Sequence, residues 1–515
     1  MFSSSDIDFI KKRGSSTDVV EAQIQNFKDD FPPLKLEKAA TIGDGLSKLS
    51  EKDIDARLKS YERATASKAI VKFVPASGAA SRMFKDLFSF MEEYTGSEAD
   101  YQKLTANQKS GSMFDFFKRL EDFAFYDDLK NAYAKSGTSL EEAHLKRKYV
   151  SILEYLLLDR GLGYGQLPKG LLKFHKKNGV ARTPAEEHFV EGANYAKSSD
   201  GSVKLHFTVS PEHRAKFKEH VAAVQAGYER QFGVKFEVSF SEQKASTDTI
   251  AVDMSNQPFR ENDGGLLFRP AGHGALLSNL NDLNADVIFV KNIDNVVPDR
   301  LKEDTFVYKK VIASLLLEYQ SKIFGFLEKL EAGAASAADL DAMYDFLEKE
   351  LCISNHTTAR TASAAERSTY LKGKFNRPIR ISGMVKNEGE PGGGPFWCKN
   401  PDGTVSLQIV ESAQVDLKDA GQKKIFEEST HFNPVDLVCG TKDYKGKKFD
   451  LMKFTDPKTG FVTEKSKDGK ALKAQELPGL WNGSMSNWNT VFVEVPVSTF
   501  NPVKKVTDLL KEQHQ

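Results

Sequence analysis

Ile70, Val71, Phe73 and Val74 make an apolar run. Small and turn-forming residues, Pro75 to Ser81, break it. Met83, Phe84, Leu87, Phe88 and Met91 then recur at helical spacing. The pattern predicts a buried strand, a loop and a helix. Upstream, residues 1–66 read as a helical leader. Ser5 or Asp6 caps a first helix that stops at Gly14, and Ser16 or Thr17 caps a second with Val19, Val20, Ile24 and Phe27 on one face. Pro32-Pro33 ends the second, and a third starts near Ser50 with Ile54, Leu58 and Tyr61. A helical stretch follows the first strand to about Leu158, until Gly161, Gly163, Gly165 and Pro168 interrupt it.

Beyond Pro168 the periodicity alternates. Val203–Ser210, the stretch from Lys235 and Ala285–Val296 read as strands, with a helix after Pro211. Residues 304–351 read as helix. Pro378 to Val497 is mixed β, with Asp402-Gly403-Thr404 as a hairpin turn. Lys442 to Ala474 reads as an exposed β excursion, and Val506, Leu509 and Leu510 as one face of a final helix. Strands alternating with helices predict an α/β fold with a mixed, largely parallel central sheet flanked by helices. The expected divisions are a helical leader (1–66), a first half (67–300) with a helical insertion at about 84–160, a helical segment (301–375), and a β-rich half with the final helix (376–515).

Composition narrows the partners. Lys+Arg and Asp+Glu are both 72 in 515 residues, the net charge is +0 and the pI is about 7.2. No basic footprint for nucleic acid or membrane lipid results, so small-molecule substrates are expected. The three cysteines, Cys352, Cys398 and Cys439, form no CxxC. No secretory start and no apolar run long enough for a bilayer are apparent, so the expected compartment is the cytoplasm. Composition leaves the oligomeric state open.

Four segments could carry chemistry. In the first, Ser77, Gly78 and Ala79 lead to Arg82. Either the small residues serve tight packing, or an anion approaches that backbone ahead of a helix. In the second, Lys169 sits between Pro168 and Gly170, just before an expected strand, as a surface turn lysine or a point charge for phosphate. In the third, Pro270, Gly272, His273 and Gly274 form a loop that would admit a flat ligand. His273 there is a hydrogen-bonded loop residue or a catalyst, and Ala275 begins a helix. In the fourth, the strand Val287–Val290 ends at Asn292 and Asp294, where ligands of open α/β sheets bind. Asp294 caps a turn or, with substrate phosphates, holds Mg²⁺.

The order of these segments resembles the UDP-sugar pyrophosphorylases, the UTP–sugar-1-phosphate uridylyltransferases. Val410–Asp416 (VESAQVD) resembles their E-x-A-Q-V segment, His431–Val438 (HFNPVDLV) their F-N-x-x-N-L segment, and Phe500–Leu510 (FNPVKKVTDLL) their F-x-P-V-K-x-x-x-D-L-L segment. The resemblance covers about Ile70 to Leu510 and suggests a divergent bacterial branch. It implies the nucleotide-diphospho-sugar transferase fold, with a nucleotide-binding first half and a sugar-binding β-rich half. It also implies Mg²⁺-dependent transfer of UMP from UTP to a sugar-1-phosphate, releasing pyrophosphate. Arg82 would meet the leaving β,γ-phosphates, Lys169 the α-phosphate region, and Lys504 the phosphates from the C-terminal half. Asp294 would hold the metal. Ser77, Gly78, Ala79, Gln243, Gly272, His273 and Gly274 would bind the nucleotide, and Glu411 and Asn433 would face the sugar hydroxyls.

Departures from the family pattern are visible. Gly78 is the one glycine of the first loop, and Pro434-Val435-Asp436 replaces a polar pair. Gly383–Trp397 has no counterpart and reads as a lid, a second ligand loop or a wide turn. Two other readings stay open: a protein that binds a nucleotide-sugar without turnover, and a nucleotidyl- or phosphotransferase with a non-sugar acceptor.

Overall fold

The computed structural model describes residues 2–78, 80–389 and 392–515. The chain forms two compact units, each assembled from separated stretches. Unit 1 is 1–73, 241–290 and 308–497; unit 2 is 74–240, 291–307 and 498–515.

In unit 1 the main strand order is Thr41–Ile42, Gly45–Ser47, Asn489–Glu494, Ile379–Lys386, His431–Gly440, Val287–Val290, Ile70–Pro75. The last of these belongs to unit 1 up to Phe73. His431–Gly440 runs antiparallel to both neighbours, and the other pairings are parallel. The sheet is therefore mixed and largely parallel, with helices packed on it. Continuous burial along Val287–Val290 and His431–Gly440 shows that both faces are covered, which explains the unbroken apolar run of Val287–Val290. A smaller antiparallel sheet joins Leu36–Ala39, Gly394–Lys399 and Val405–Val410. Gly403 takes the left-handed conformation (φ 82°) in the hairpin turn read from the sequence.

A four-stranded sheet, Phe268–Arg269, Thr249–Val252, Lys470–Glu476 and Phe461–Lys467, carries the first two helices. Those helices, Ser4–Lys12 and Thr17–Asp29, bury Ile10, Val20, Ile24 and Phe27 against Ile250 and Val252. The first helix is capped by Ser3 and not by Ser5 or Asp6, which lie inside it with Asp6 bonded back to the cap; Ser16 and Ser50 cap the next two through their side chains, leaving fewer N–H groups unpaired. Inside unit 1 the buried Lys309 pairs with Asp436. Asp436 is committed to a lysine inside unit 1 and is not offered to a ligand.

Unit 2 opens with the end of the strand Ile70–Pro75. The Ala76 N–H donates to the Thr208 carbonyl at 2.9 Å. Ser202–Thr208 neighbours Lys235–Ser241, and helices Pro184–Tyr195 and Arg214–Phe232 bury Phe189 and Phe217 with Leu205, Phe207 and Phe236. Six helices between Lys85 and Leu157 build a separate aromatic core around Phe84, Phe116, Phe123 and Phe125. Val503, Val506, Leu509 and Leu510 complete that core.

Four expectations are corrected. The leader is not helical throughout, because Leu36–Ala39, Thr41–Ile42 and Gly45–Ser47 are strands. Lys169 precedes no apolar strand. Lys169–Leu171 is a single 3-10 turn, and Leu172 and Phe174 are buried as core residues beyond it. Residues 461–476 form a hairpin paired to Thr249–Val252, with Leu472 and Ala474 buried, so the excursion is not wholly exposed. The final helix is replaced by two 3-10 turns, Val506–Leu510 and Glu512–His514.

Unit 2 also holds a buried polar chain. Glu187 Oε1 accepts from His175 Nδ1 at 2.9 Å, and His175 Nε2 meets His514 Nδ1 at 3.0 Å. The carboxylate fixes the tautomers: His175 donates from Nδ1 and accepts at Nε2, and His514 donates from Nδ1. Burial holds both imidazoles below the usual 6.5, His514 at about 3. Below pH 6.5 the unfolded chain therefore binds more protons than the folded one, and stability falls as the pH falls. We expect unfolding midpoints in urea to drop progressively between pH 6.5 and about 3. His514→Gln should flatten that profile, and an unchanged profile would exclude this pair as its source.

Candidate functional site

Unit 2 draws together four segments that lie far apart in the chain. After the strand Ile70–Pro75 come Ala76 to Gly78 and the 3-10 turn Ala80–Arg82, and then the helix Lys85–Glu93. The Ala80 N–H donates to the Leu167 carbonyl (3.4 Å), and the Met83 carbonyl accepts from the Val506 N–H (3.1 Å). Lys169 Nζ donates to Asp294 Oδ2 at 2.8 Å and to the Val503 carbonyl at 2.6 Å. Asn295 anchors the last segment, donating to the Thr499 carbonyl (3.2 Å) and accepting from the Asn501 N–H (2.8 Å).

Lys169 and Asp294 thus touch, and the backbone beside Lys504 is tied to both through Val503. Arg82 is exposed, one residue from the Met83–Val506 bond. The Lys504 N–H donates to Asp508 Oδ2 at 2.8 Å, which orients that turn. A side chain at Gly78 would meet nothing within 4 Å, so the folded chain itself does not require glycine there. Ser77 is half-buried, and Ala79 lies outside the described residues.

An ammonium has three N–H donors, and Lys169 uses two. The third is available to a phosphate oxygen. Asp294 Oδ1 has no partner among the described residues, and its side chain is 18% exposed. Among those residues no group of three His, Cys, Asp or Glu could hold a metal ion. One free carboxylate oxygen fits Mg²⁺ when phosphate oxygens and water supply the remaining ligands, and fits no all-protein cage.

The other candidates lie in unit 1. Gly272 has φ 74°, and a Cβ there would fall 2.5 Å from Glu476 Oε2. A Cβ at Gly274 would fall 2.1 Å from the Pro478 carbonyl oxygen. Glu476 and Pro478 thus account for both glycines by internal packing. Instead of a helix starting at Ala275, a 3-10 turn His273–Leu276 precedes the helix Leu277–Asp282. The His273 ring stacks on Trp481 with centroids 4.1 Å apart, and its Nδ1 accepts the Leu480 N–H at 3.0 Å. Its proton is therefore on Nε2, 3.9 Å from Glu411 Oε1. Desolvation pushes His273 down to about 4 although a third of its side chain is exposed. The imidazole is neutral at physiological pH. Glu411 is held above its ordinary value by burial, and it accepts from Asn482 Nδ2 at 3.1 Å.

Asn433 is buried. Its N–H donates to the Gly393 carbonyl at 2.8 Å, its Oδ1 accepts from the Val435 N–H at 3.1 Å, and its Nδ2 has no partner among the described residues. Val435 has φ 58°, a conformation that costs a β-branched residue about 1–3 kcal/mol. A strained backbone beside an unpartnered amide marks this place as more than packing. Gly393 lies against Glu411 as well, since a Cβ there would be 3.4 Å from Glu411 Cγ. The glycine-rich stretch therefore adjoins both residues assigned to sugar hydroxyls; its residues 390–391 lie outside the description. Gln243 is elsewhere engaged, donating to Asp248 Oδ1 at 2.9 Å, while Asp248 also pairs with Arg13. Trp481, Asn482 and Gln414 were not singled out from the sequence. The Pro-Gly turn and tryptophan of Leu477–Gly483 were the available signal, and Gln414 stands inside the E-x-A-Q-V match.

The fold is mixed α/β, with most candidate residues on loops and turns and Asn433 inside the strand His431–Gly440. A family model described as a domain of unknown function, DUF4301, matches residues 3–515, and the chain belongs to that family. No curated protein matches the sequence. Among solved structures, UDP-glucose phosphorylase from Trypanosoma brucei aligns with 12% identity and a TM-score of 0.44, over 98% of this chain and 77% of that one. The UDP-glucose pyrophosphorylase from Leishmania major aligns with 12% identity and a TM-score of 0.42, over 99% and 79%. The UDP-N-acetylglucosamine pyrophosphorylase from Trypanosoma brucei, in complex with inhibitor, aligns with 15% identity and a TM-score of 0.37, over 90% and 84%. Superpositions this loose carry nothing about chemistry, which rests on the residues above. Among the described residues no helix is long and apolar enough to cross a membrane.

Proposed function

We propose that this chain is a nucleotidyltransferase that moves UMP from UTP to a sugar-1-phosphate, giving a UDP-sugar and pyrophosphate. The observation that carries the reading is the meeting of Lys169, Asp294 and the Val503–Lys504 backbone in unit 2. These residues stand in the segments whose order resembles the UDP-sugar pyrophosphorylases. In the reaction, a sugar-phosphate oxygen attacks the α-phosphorus in line, the new P–O bond forms, and the bond to pyrophosphate breaks. Such transfer asks the protein mainly for positioning and charge neutralisation. Lys169 would direct its remaining N–H at the α-phosphate, and Arg82 and Lys504 would take the leaving group. Mg²⁺ on Asp294, when bound, would supply further neutralising charge. In unit 1, Glu411 and the Asn433 amide would bind sugar hydroxyls, while His273 and Trp481 would offer a flat, uncharged wall.

The test is incubation with each nucleoside triphosphate, Mg²⁺ and a panel of sugar-1-phosphates, following pyrophosphate. Release with UTP and a sugar-1-phosphate, faster than with ATP or CTP, is expected. If UTP binds but no pyrophosphate appears with any acceptor, the chain is a nucleotide-sugar-binding protein. Release that needs a non-sugar acceptor would make it a different transferase.

A further inference from the structure

The helix Pro184–Tyr195 buries three ionisable side chains, Glu187, His188 and Glu191, in the core of unit 2. Such burial is costly unless each polar group finds a partner, and an apolar face would pack with less penalty. Glu187 meets His175. The other two face the residues just past the strand Val287–Val290. Glu191 Oε1 accepts from Lys291 Nζ at 2.7 Å, and its Oε2 accepts from the Tyr195 hydroxyl at 3.0 Å. His188 Nε2 lies 3.1 Å from the Ile293 carbonyl oxygen. A carbonyl only accepts, so the ring carries a proton on Nε2 and donates it into this bond. His188, Glu191 and Lys291 are at most 2% exposed, so water does not compete for these contacts.

The bonds replace what the sheet no longer supplies. Beyond Val290 the chain leaves the strand, and its buried backbone groups need other partners. The Ile293 N–H donates to the Pro75 carbonyl at 3.2 Å, and the Ile293 carbonyl accepts from His188. Pro75 therefore fixes the peptide before Ile293, and His188 fixes the peptide after it. That second peptide joins Ile293 to Asp294.

Ile293 also lies under the other half of the pair. A Cβ on Gly170 would fall 3.1 Å from Ile293 Cγ1 and 2.6 Å from Phe217 Cζ, so the turn Lys169–Leu171 rests directly on both side chains. Lys169 Nζ donates to Asp294 Oδ2 across 2.8 Å, which leaves little room for movement. A shift of Ile293 would displace Asp294 through the chain and Lys169 through Gly170. Misplacing reacting groups by about 1 Å costs on the order of 10²-fold in rate.

We propose that His188 is the positioning residue of the Lys169–Asp294 pair, acting through the Ile293 carbonyl. Its effect on rate rests on the transferase reading, and its hold on the backbone does not. The test is amide hydrogen exchange, read by mass spectrometry on the full chain, in wild type, His188→Leu and His188→Gln. Pyrophosphate release from UTP and sugar-1-phosphates is measured on the same samples. Leucine fills the space and cannot donate, whereas the glutamine amide reaches about as far as Nε2 and can. In His188→Leu, exchange in 291–296 should speed up roughly 10- to 100-fold, as for an orphaned buried carbonyl, while the helices between Lys85 and Leu157 keep theirs. Release should fall roughly 10- to 100-fold, with the KM for UTP moving less, and His188→Gln should recover both. Added to Asp294→Ala, His188→Leu should cost no further rate, because a residue that acts through Asp294 has no separate effect. Should the leucine variant not fold, His188→Asn, whose amide is too short to reach the carbonyl, takes its place. Unchanged exchange in 291–296, faster exchange throughout unit 2, or no recovery with glutamine overturns the proposal, whether or not the chain releases pyrophosphate. In an active chain, so does full turnover in His188→Leu or a full further loss in the Asp294→Ala background. A wild type that releases no pyrophosphate removes the transferase reading alone, and the exchange result still decides whether His188 holds the pair.

Discussion

Lys169→Ala is expected to cut pyrophosphate release by about 10²–10³-fold, the usual cost of losing one aimed electrostatic group. In the proposed reaction, in-line attack would bring an anionic sugar phosphate to an anionic triphosphate, and Lys169 would supply a positive charge held at a fixed point by Asp294 and the Val503 carbonyl. The fold should survive, because both side chains of the pair remain partly exposed, at 16% and 18%. Partly solvated pairs contribute little to stability. Binding of UTP should weaken less than turnover, since charge stabilisation that grows toward the transition state acts on rate more than on ground-state affinity. Asp294→Ala should match it and should also abolish the response of the rate to EDTA. Release that is indifferent to both substitutions would move the reaction away from this cluster.

The largest loss of stability is expected from Glu187→Ala. Glu187 and Lys302 are each 1% exposed and lie 2.8 Å apart. The same carboxylate accepts from His175, and Arg182 stands 3.7 Å away. Burial works against its ionised form. The hydrogen bond from His175 and the charge of Lys302 outweigh that, so its pKa stays below the ordinary 4.5. Removing the carboxylate leaves a buried ammonium with only Asp299, at 3.5 Å, as counter-charge. Breaking one half of a buried pair costs about 3–5 kcal/mol. Urea unfolding at neutral pH should show a loss of that size. A double replacement, Glu187→Leu with Lys302→Met, should recover most of it, because it leaves no unpaired charge. A single-variant loss below about 1 kcal/mol would mean that water already reaches the pair.

Long apolar runs were legible in the sequence. Ile70–Pro75 and Val287–Val290 are buried on both faces and carry no polar alternation that could be misread. The starts of the second and third helices were legible through Ser16 and Ser50, whereas the first is capped at Ser3, ahead of the expected Ser5 or Asp6. Short strands were not. Thr41–Ile42 and Gly45–Ser47 hold too few residues to show a period, and only pairing to Asn489–Glu494 and to each other makes them strands. The apolar cluster Leu171, Leu172 and Phe174 was misread because core side chains on an irregular segment look like a strand. The same holds for Val506, Leu509 and Leu510, whose spacing suits a helix but whose backbone turns more tightly. Among site residues, the Lys169–Asp294 contact was anticipated by segment order alone. Trp481 and Asn482 were not, since their meaning comes from partners distant in the chain. A lysine or arginine looks the same in a sequence whether its partner is present or missing.

The path of unit 2 through the chain bears on how it is made. Its last stretch, 498–515, leaves the ribosome after everything else in the unit and after all of unit 1. Yet that stretch supplies Val503, Val506, Leu509 and Leu510 to the aromatic core around Phe84 and Phe116. It also brings His514 to His175 and the Val503 carbonyl to Lys169. Until then the six helices between Lys85 and Leu157 wait with part of their apolar surface uncovered. During synthesis this is the unit most exposed to aggregation and to chaperone capture. Lys169 gains its bond to the Val503 carbonyl only when residues 498–515 arrive, so no nascent chain ending before Val503 holds that lysine in this way.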